Sequence, residues 1–272
     1  MNRTPATPAS DRLALERYII PNLRNACRIL KLLETRAEGF KAADVARELA
    51  IPVTTTLRIM ATLQLEGLVR KLEGRFELGP ALIHLGNASL AGTEIRAMAM
   101  PVLQQLTAET VETSHLAIPC DNRALIVAVQ DSPHPLRAAS RPGYLAELHC
   151  SSTGKVFLAF LHARDVGSIV GKEPLLRRTP NTLTSLADVR RETELTRRRG
   201  YSLDNEEYHP GVRCVAAPVY SCDATVVAAI GITAATVRFP KENVGRISKL
   251  VLAAAQELSR HLGYHGKSGS AQ

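Results

Sequence analysis

The sequence predicts an α+β protein of two parts, a winged helix-turn-helix followed by a layered arrangement of strands and helices. Residues 41–76 place two short helices and a glycine-tipped hairpin in succession, which is the element order of a winged helix-turn-helix. Beyond residue 112, strand-like segments of period two alternate with helix-like segments, a pattern typical of an α/β sandwich. The 272 residues are enough for two domains.

Apolar spacing predicts the two helices of the helix-turn-helix. In the first, Val45, Ala46 and Leu49 recur at helical spacing and share one face. The segment 50–52 then breaks the period, because proline is tolerated only at a helix start. A second helix begins near Thr54, with a buried stripe of Thr56, Ile59, Met60 and Leu63.

The register of this second helix turns Thr54, Thr55, Leu57, Arg58 and Thr62 outward. Such a face suits a nucleic-acid groove, because hydroxyls reach phosphates or base edges and arginine can bond guanine with two parallel hydrogen bonds. The alternative interpretation is a small helical subdomain with a solvated charged face.

A change to period two after Gly67 predicts the wing. The segments 68–72 and 75–78 flank Glu73-Gly74, which is a hairpin signal. Arg70, Lys71 and Arg75 lie on this hairpin, where we expect them to neutralise backbone phosphates.

Composition narrows the class of protein. Residues 1–85 hold 13 basic and 9 acidic side chains, so their net charge of +4 is about twice as dense as in the remainder of this +8 chain. Five scattered cysteines without a C-x-x-C pair argue against a disulfide framework or a structural zinc site. The chain contains no long apolar run and no apolar signal core at its start, so we expect no membrane segment and a cytoplasmic location.

The remaining elements follow from periodicity and turn residues. A helix over 22–35 supplies the third helix of the first domain, and 82–112 predicts one or two helices with a kink at Pro101. We expect strands at 115–118, 125–129, 214–220 and 226–233. Further helices are expected at 152–161, 186–199 and 241–262.

The segment Ser151-Ser152-Thr153-Gly154-Lys155 is a candidate anion site. It resembles the end of a phosphate-binding loop, but His149 stands where that loop needs a glycine, so the nucleotide interpretation fails. Two interpretations stay open: a helix start whose free amides hold a small anion, or simple capping by Ser151 or Ser152.

Asp204, Glu206 and Glu207 form a carboxylate cluster that we place in a loop. Enzymatic alternatives combine Ser152, His149 and Asp204 as a hydrolase triad, or Cys214 with His149 as a thiol pair, or His149, Asp204 and Cys214 as metal ligands. No G-x-S-x-G elbow or close ligand spacing supports them.

A polar pocket for a small organic acid accounts better for the same residues. It would use amides at 152–154, hydroxyls of Ser152 and Thr233, and the thiol of Cys214. Asp204 would orient the ligand by accepting a hydrogen bond from a hydroxyl, or would hold the loop closed. We therefore predict no catalytic residues, no cofactor and no metal site.

Over residues 23–263 the chain resembles the IclR family of bacterial transcriptional regulators. The matching segments are ELAIPVTTTLRIMATLQLEGLV, RFELGPALIHLG, DSPHPLR, LHCSSTGKVFLAF, and DNEEYHPGVRCVAAPV followed by VVAAIGIT. Their order and spacing make the resemblance specific, and the last of the long motifs is the most specific.

The resemblance implies a winged helix-turn-helix joined by a linker helix to a GAF-like effector domain. It also implies a ligand-responsive regulator, more often a repressor than an activator, that binds a double-stranded DNA operator and a small organic or aromatic acid as a homodimer or homotetramer. The expected boundaries are a disordered arm at 1–19, the DNA-binding domain at 20–82, the linker at 83–96, the effector domain at 97–265 and a disordered tail at 266–272.

The expected site residues fall into two sets. The DNA-binding set is Val53, Thr54, Thr55, Leu57, Arg58, Thr62, Arg70, Lys71 and Arg75. The effector-binding set is Ser152, Thr153, Gly154, Asp204, Val212, Cys214, Gly231 and Thr233. Four positions depart from the family pattern. Val53 and Leu57 are apolar where polar residues are usual, Ala43 stands where a serine or threonine often caps the helix, and Gly231 lacks the hydroxyl of a common serine.

Overall fold

The computed structural model describes residues 18–36, 38–91, 94–138, 140–171 and 174–265. The chain divides into two compact units, 1–92 and 93–272. The predicted C-terminal tail and the predicted N-terminal arm, apart from residues 18 and 19, lie outside the described residues. The predicted α+β class, with an N-terminal helix-turn-helix and a C-terminal sheet domain, is confirmed.

The first unit is a three-helix core with a two-stranded wing. Its elements in chain order are α1 (Pro21–Leu33), α2 (Ala42–Leu49), α3 (Val53–Leu65), β1 (Val69–Leu72) and β2 (Arg75–Leu78). The predicted stripe of α3 is confirmed, since the four predicted side chains are buried. They pack in one core with residues of every other element, including Ile29, Leu33, Val45, Val69 and Phe76.

The turn between α2 and α3 is held by backbone geometry. Ala50 takes a left-handed conformation with φ of 52° and ends α2. Next to it, the amide of Ile51 donates to the carbonyl of Ala46 at 3.0 Å, and the Ile51 side chain is buried in the core. Pro52 then precedes α3. The turn therefore fixes the orientation of α3 relative to α2.

The second unit is built on a six-stranded antiparallel sheet. Its strands are β3 (Thr113–Cys120), β4 (Arg123–Gln130), β5 (Leu145–Glu147), β6 (Ser202–Asn205), β7 (Val212–Tyr220) and β8 (Val226–Ala235). Their order across the sheet is β5-β4-β3-β8-β7-β6. The expected Asp121-Asn122 turn joins β3 to β4, because Cys120 pairs with Arg123 across it.

Helices cover both faces of this sheet. The helices of the second unit are α5 (Glu94–Thr110), α6 (Ser152–Phe160), α7 (Val166–Val170), α8 (Leu186–Arg199) and α9 (Val244–His261), with a 3-10 turn at Lys241–Asn243, whereas α4 (Ala81–Ala91) belongs to the first unit. Helices α5 and α9 pack together and against the sheet, while α6 packs against α8 and the sheet. Consecutive residues along β7 and β8 are buried on both sides, as expected for a covered sheet.

Three short elements were not predicted, namely β5, α7 and β6. One prediction is therefore wrong: Asp204 lies in strand β6 rather than in a loop, paired with Cys214 of β7, and it is buried. Among the described residues no helix is both long and apolar enough to span a bilayer. The same residues hold no group of three or more metal-ligating side chains.

We expect Ala50→Gly to stabilise the first unit by about 0.5–1 kcal/mol. A non-glycine residue in the left-handed region costs roughly 1–2 kcal/mol. This cost exceeds the additional conformational entropy that a glycine loses on folding. Urea unfolding of the full chain, followed by far-UV circular dichroism, measures the difference. Ala50→Val is the control and should destabilise, because β-branched residues rarely adopt positive φ. Equal stability of the two variants would contradict the role assigned to this turn.

Candidate functional sites

The outer face of α3 presents most of the side chains predicted to contact DNA. Val53, Thr54, Leu57, Arg58 and Thr62 are exposed, and Thr55 is half-buried. The Thr62 hydroxyl donates to the Arg58 carbonyl at 3.0 Å, so it offers mainly its lone pairs to a partner. The face thus combines an arginine with hydroxyls and two apolar side chains.

The wing is less cationic than its sequence suggests. Arg70 pairs with Glu77 on the neighbouring strand at 2.9 Å. Arg75 is half-buried and donates to the Gly39 carbonyl at 3.3 Å. Lys71 is exposed, with its ammonium 5.4 Å from the ring centre of Phe76. The ion pairs described in the first unit join Arg36 to Glu38, Arg47 to Asp44, and Arg70 to Glu77, which leaves Arg58 and Lys71 outside them.

A cavity of about 390 Å³ opens in the second unit between the start of α6 and strands β6, β7 and β8. Six of the eight residues predicted to bind the effector line it, namely Ser152, Thr153, Asp204, Val212, Cys214 and Thr233. Gly154 and Gly231 are not among the lining residues. Ser151 of the candidate anion segment also lines the cavity. The sequence analysis missed nine lining residues: His115, Ile126, Ala138, Ser140, Arg141, Tyr144, Ala146, Tyr208 and His209.

Both glycines stand where backbone and neighbouring side chains approach closely. A Cβ on Gly154 would lie 2.5 Å from the Cα of Leu148, so the glycine lets the first turn of α6 rest on the chain before it. A Cβ on Gly231 would lie 2.3 Å from the carbonyl oxygen of Val215. A serine at 231 would therefore supply a hydroxyl, but its Cβ would also crowd the neighbouring strand of the sheet.

The start of α6 is capped by a side chain. The Ser151 hydroxyl accepts from the amide of Gly154 at 3.1 Å and donates to the carbonyl of Glu147 at 2.6 Å, so capping by Ser151 is confirmed. Among the described residues no acceptor takes the amides of Ser152 and Thr153, the other two in this first turn. These two amides, with the positive end of the helix dipole, are donors for an anion in the cavity.

Neutral polar groups line the floor of the cavity. The Cys214 sulfur and Nδ1 of His115 each lie 3.4 Å from the Thr233 hydroxyl. Burial lowers the pKa of His115 to about 4, so its ring is uncharged near neutral pH. Burial also raises the pKa of Cys214 well above its ordinary value, so the group is a thiol. A thiol that stays protonated is a poor nucleophile.

A hydrogen-bonded pair of tyrosines forms another part of the wall. The hydroxyls of Tyr144 and Tyr208 are 2.7 Å apart, and Tyr208 also donates to Glu147 at 2.7 Å. Arg178 donates to the same carboxylate at 2.7 Å and lies 4.2 Å over the Tyr208 ring. Although burial opposes it, hydrogen bonds from Arg178 and Tyr208 hold the pKa of Glu147 below its ordinary value. Through this network the tyrosines of the cavity wall are hydrogen-bonded to the carboxylate of Glu147.

Asp204 is the buried carboxyl of the cavity. Its Oδ1 accepts from the amides of Glu207 at 2.8 Å and Tyr208 at 3.3 Å. Burial raises its pKa to about 7, a shift that the charge of Lys155 reduces and that of Glu207 increases. The protonation state of Asp204 therefore changes near neutral pH inside the candidate binding cavity.

The enzymatic combinations are not assembled around the cavity. His149 is absent from the cavity lining, and its Nε2 lies 3.0 Å from the carbonyl of Leu176. The proposed triad and the proposed thiol pair both required this ring beside Ser152 or Cys214. The geometry thus favours a binding cavity over a catalytic centre.

Comparison with known proteins agrees with this arrangement. The model for the IclR helix-turn-helix domain matches residues 23–73, and the model for the C-terminal region of bacterial transcriptional regulators of the IclR type matches 87–260. Transcriptional repressor IclR of Escherichia coli (strain K12) is 31% identical over 251 residues, 90% of this chain and 91% of that protein.

Solved structures show the same fold. IclR of Thermotoga maritima has a TM-score of 0.66 at 28% identity, covering 90% of this chain and 99% of that one. An IclR homolog from Microbacterium hydrocarbonoxydans, complexed with 4-hydroxybenzoate, has a TM-score of 0.73 at 23% identity, covering 89% and 98%.

We expect Asp204→Asn to stabilise the chain increasingly as the pH rises from 4 to 7. In this window the folded wild-type carboxyl holds a proton that the unfolded one has lost, so wild-type stability falls by about 1.4 kcal/mol per pH unit from this group. The asparagine lacks this titration, and above pH 7 the difference becomes constant. Urea denaturation of both proteins at pH 5, 6, 7 and 8 measures it, and a difference independent of pH would contradict the burial of a titrating carboxyl.

Proposed function

Because the chain belongs to the IclR family of bacterial transcriptional regulators, we propose that it is a sequence-specific DNA-binding repressor whose operator affinity depends on a small organic acid. The observation that carries the proposal is the outer face of α3, where Arg58 stands exposed among hydroxyls and outside every ion pair described in the first unit. Such a regulator acts in the cytoplasm, where bacterial DNA lies. Repression is favoured because the Escherichia coli relative is named a repressor.

Helix α3 enters the major groove and reads bases. Arg58 supplies a fork of donors that fits the acceptors of guanine, and Thr54 and Thr55 lie near the helix start, where contacts to bases and phosphates concentrate. Lys71 on the wing adds a phosphate contact. A homodimer, alone or paired into a tetramer, places two such helices in successive major grooves, roughly 34 Å apart for adjacent half-sites.

Val53 and Leu57 give the reading face an apolar component. Their side chains are 49% and 47% exposed, and neither belongs to the core of the unit. Apolar groups in the major groove contact the methyl group of thymine. The operator is therefore expected to hold A·T pairs beneath these residues.

The cavity of the second unit binds the effector. Its size is at the lower end for small-molecule sites, and it combines apolar walls with a few placed polar groups. The amides of Ser152 and Thr153 receive a carboxylate, the hydroxyl of Thr233 offers a further hydrogen bond, and Arg141 supplies a cation at the lining. The complex of the Microbacterium hydrocarbonoxydans homolog with 4-hydroxybenzoate supports an aromatic acid as one member of the class.

We expect Arg58→Ala to weaken specific operator binding by about 1–3 kcal/mol, because the variant loses a two-bond contact to a base. DNase footprinting on the DNA upstream of its own coding region measures the loss. Arg198→Ala is the matched control, since Arg198 is also exposed, on α8, but pairs with Glu194 at 3.2 Å. Unchanged protection by Arg58→Ala would count against α3 as the reading helix.

We expect Val212→Phe to bind the operator normally and to lose its response to acids, because the larger ring occupies the cavity that Val212 lines. Footprinting with and without acetate, pyruvate, benzoate and 4-hydroxybenzoate tests the response. Val237→Phe is the control, since Val237 is 87% exposed and away from the cavity. A normal response by Val212→Phe would place the effector elsewhere.

A further inference from the structure

Carboxylates outnumber the buried ammonium group of Lys155 beside the cavity. Lys155 donates to Glu207 at 2.6 Å and to the carbonyl of Leu203, and Glu192 lies 3.8 Å away. Glu192 has its own partner, Arg199, at 2.6 Å. The charge of Lys155 is therefore matched by Glu207, and Asp204 receives hydrogen bonds from two backbone amides rather than from a cation.

Asp204 lies next to the amides that are proposed to hold a carboxylate. The Ser202 hydroxyl donates to the carbonyl of Ser152 at 2.6 Å, which joins β6 to the first residue of α6. Side chains two apart on a strand share a face, so Asp204 points to the same side as Ser202. Asp204, Ser152 and Thr153 all line one cavity. An anion held by these amides would thus stand beside the Asp204 carboxyl.

We propose that Asp204 takes up a proton from solvent when an organic acid binds, and that its O–H then donates a hydrogen bond to the carboxylate of the ligand. This inference rests on the proposed binding of an acid in the cavity. An ionised Asp204 would offer acceptors only and, being buried, would repel the carboxylate of the ligand. The protonated form removes the repulsion and provides a donor.

The surroundings of Asp204 already favour this protonation. With its pKa raised to about 7 by burial, Asp204 is close to half protonated at neutral pH. The groups that face it are Lys155 from α6, Glu207 after β6, Cys214 from β7 and His115 from β3. Burial keeps His115 neutral and Cys214 a thiol between pH 6 and 8.

Arg141 and His209 also line the cavity, and their contributions must be separated from that of Asp204. The guanidinium of Arg141 lies 3.6 Å from the carboxylate of Asp131. His209 carries an imidazole that can donate a hydrogen bond to an anion in the cavity. A variant of His209 is therefore part of the test.

The proposal gives a defined pH dependence. If only the protonated form binds the acid, the apparent Kd varies inversely with the protonated fraction, which falls about tenfold between pH 6 and pH 8 for a group titrating near 7. Benzoate and 4-hydroxybenzoate keep their carboxylates ionised throughout this range. The change therefore belongs to the protein.

Titration calorimetry of the full-length wild-type chain with benzoate and 4-hydroxybenzoate tests this. Measurements at pH 6, 7 and 8, each in two buffers of different ionisation enthalpy, give affinity and proton uptake together. We expect binding about tenfold weaker at pH 8 than at pH 6, with uptake of about 0.1 proton per site at pH 6 and about 0.9 at pH 8. Benzamide, which has no charge, should bind with little dependence on pH.

Two variants assign the proton. Asp204→Asn retains an oxygen to accept from the amides of Glu207 and Tyr208 and has a permanent N–H donor, so it should bind the acid with an affinity independent of pH and without proton uptake. His209→Gln should retain the wild-type dependence. The wild-type proton uptake stands as evidence even if Asp204→Asn folds poorly.

The outcomes separate this inference from the function on which it rests. Acid binding by the wild type without pH dependence and without proton uptake overturns the inference alone. So does loss of the dependence in His209→Gln, or a folded Asp204→Asn that no longer binds the acid. If neither acid binds at any pH, the proposed ligand class and this inference fall together, while operator footprinting still decides whether the chain binds DNA.

Discussion

The docking of the first turn of α6 is the constraint on which the cavity depends. Two hydrogen bonds hold this turn to strands β5 and β6. The Ser151 hydroxyl donates to the Glu147 carbonyl at the end of β5, and the Ser202 hydroxyl of β6 donates to the Ser152 carbonyl. Gly154 permits the contact, since a Cβ would meet the Leu148 backbone at 2.5 Å. Because the turn is held on both sides, the residues with the two uncapped amides line the cavity without a loop rearrangement.

The same docking buries a charge and thereby shapes the segment after β6. Lys155 lies one turn into α6, so fixing the helix start carries its ammonium group under β6. A buried cation needs a partner, and Glu207 provides it at 2.6 Å. With Glu207 turned inward, the next residue, Tyr208, reaches the wall and bonds to Tyr144 and Glu147. Through Glu207, Lys155 thus links the start of α6, where the anion is proposed to bind, to the part of the cavity wall that holds Tyr208.

Elements with local signals were predictable, and those that exist only through pairing were not. The sequence marks 186–199 as a helix, and the structure has α8 at those bounds, because Ser185 caps its start and Gly200 ends it in a left-handed conformation. Strand β6 has four residues and no periodicity of its own, so Asp204 was misplaced in a loop. Six of the cavity residues followed from motifs, whereas Tyr144 and His115 enter the wall through strand pairing and turns far along the chain.

If α3 reads DNA as proposed, the distribution of charge in the first unit makes its base contacts more decisive than the number of its cations suggests. Two of the three wing cations are engaged within the protein, Arg70 with Glu77 and Arg75 with Gly39, and each contributes less to phosphate binding than a free side chain would. Val53 and Leu57 are one helical turn apart and form a continuous apolar strip beside Arg58. In the proposed complex, a face with few phosphate contacts would gain little affinity for random DNA. Discrimination would then depend on hydrogen bonds from Arg58 to a base and on contacts of Val53 and Leu57 with thymine methyl groups.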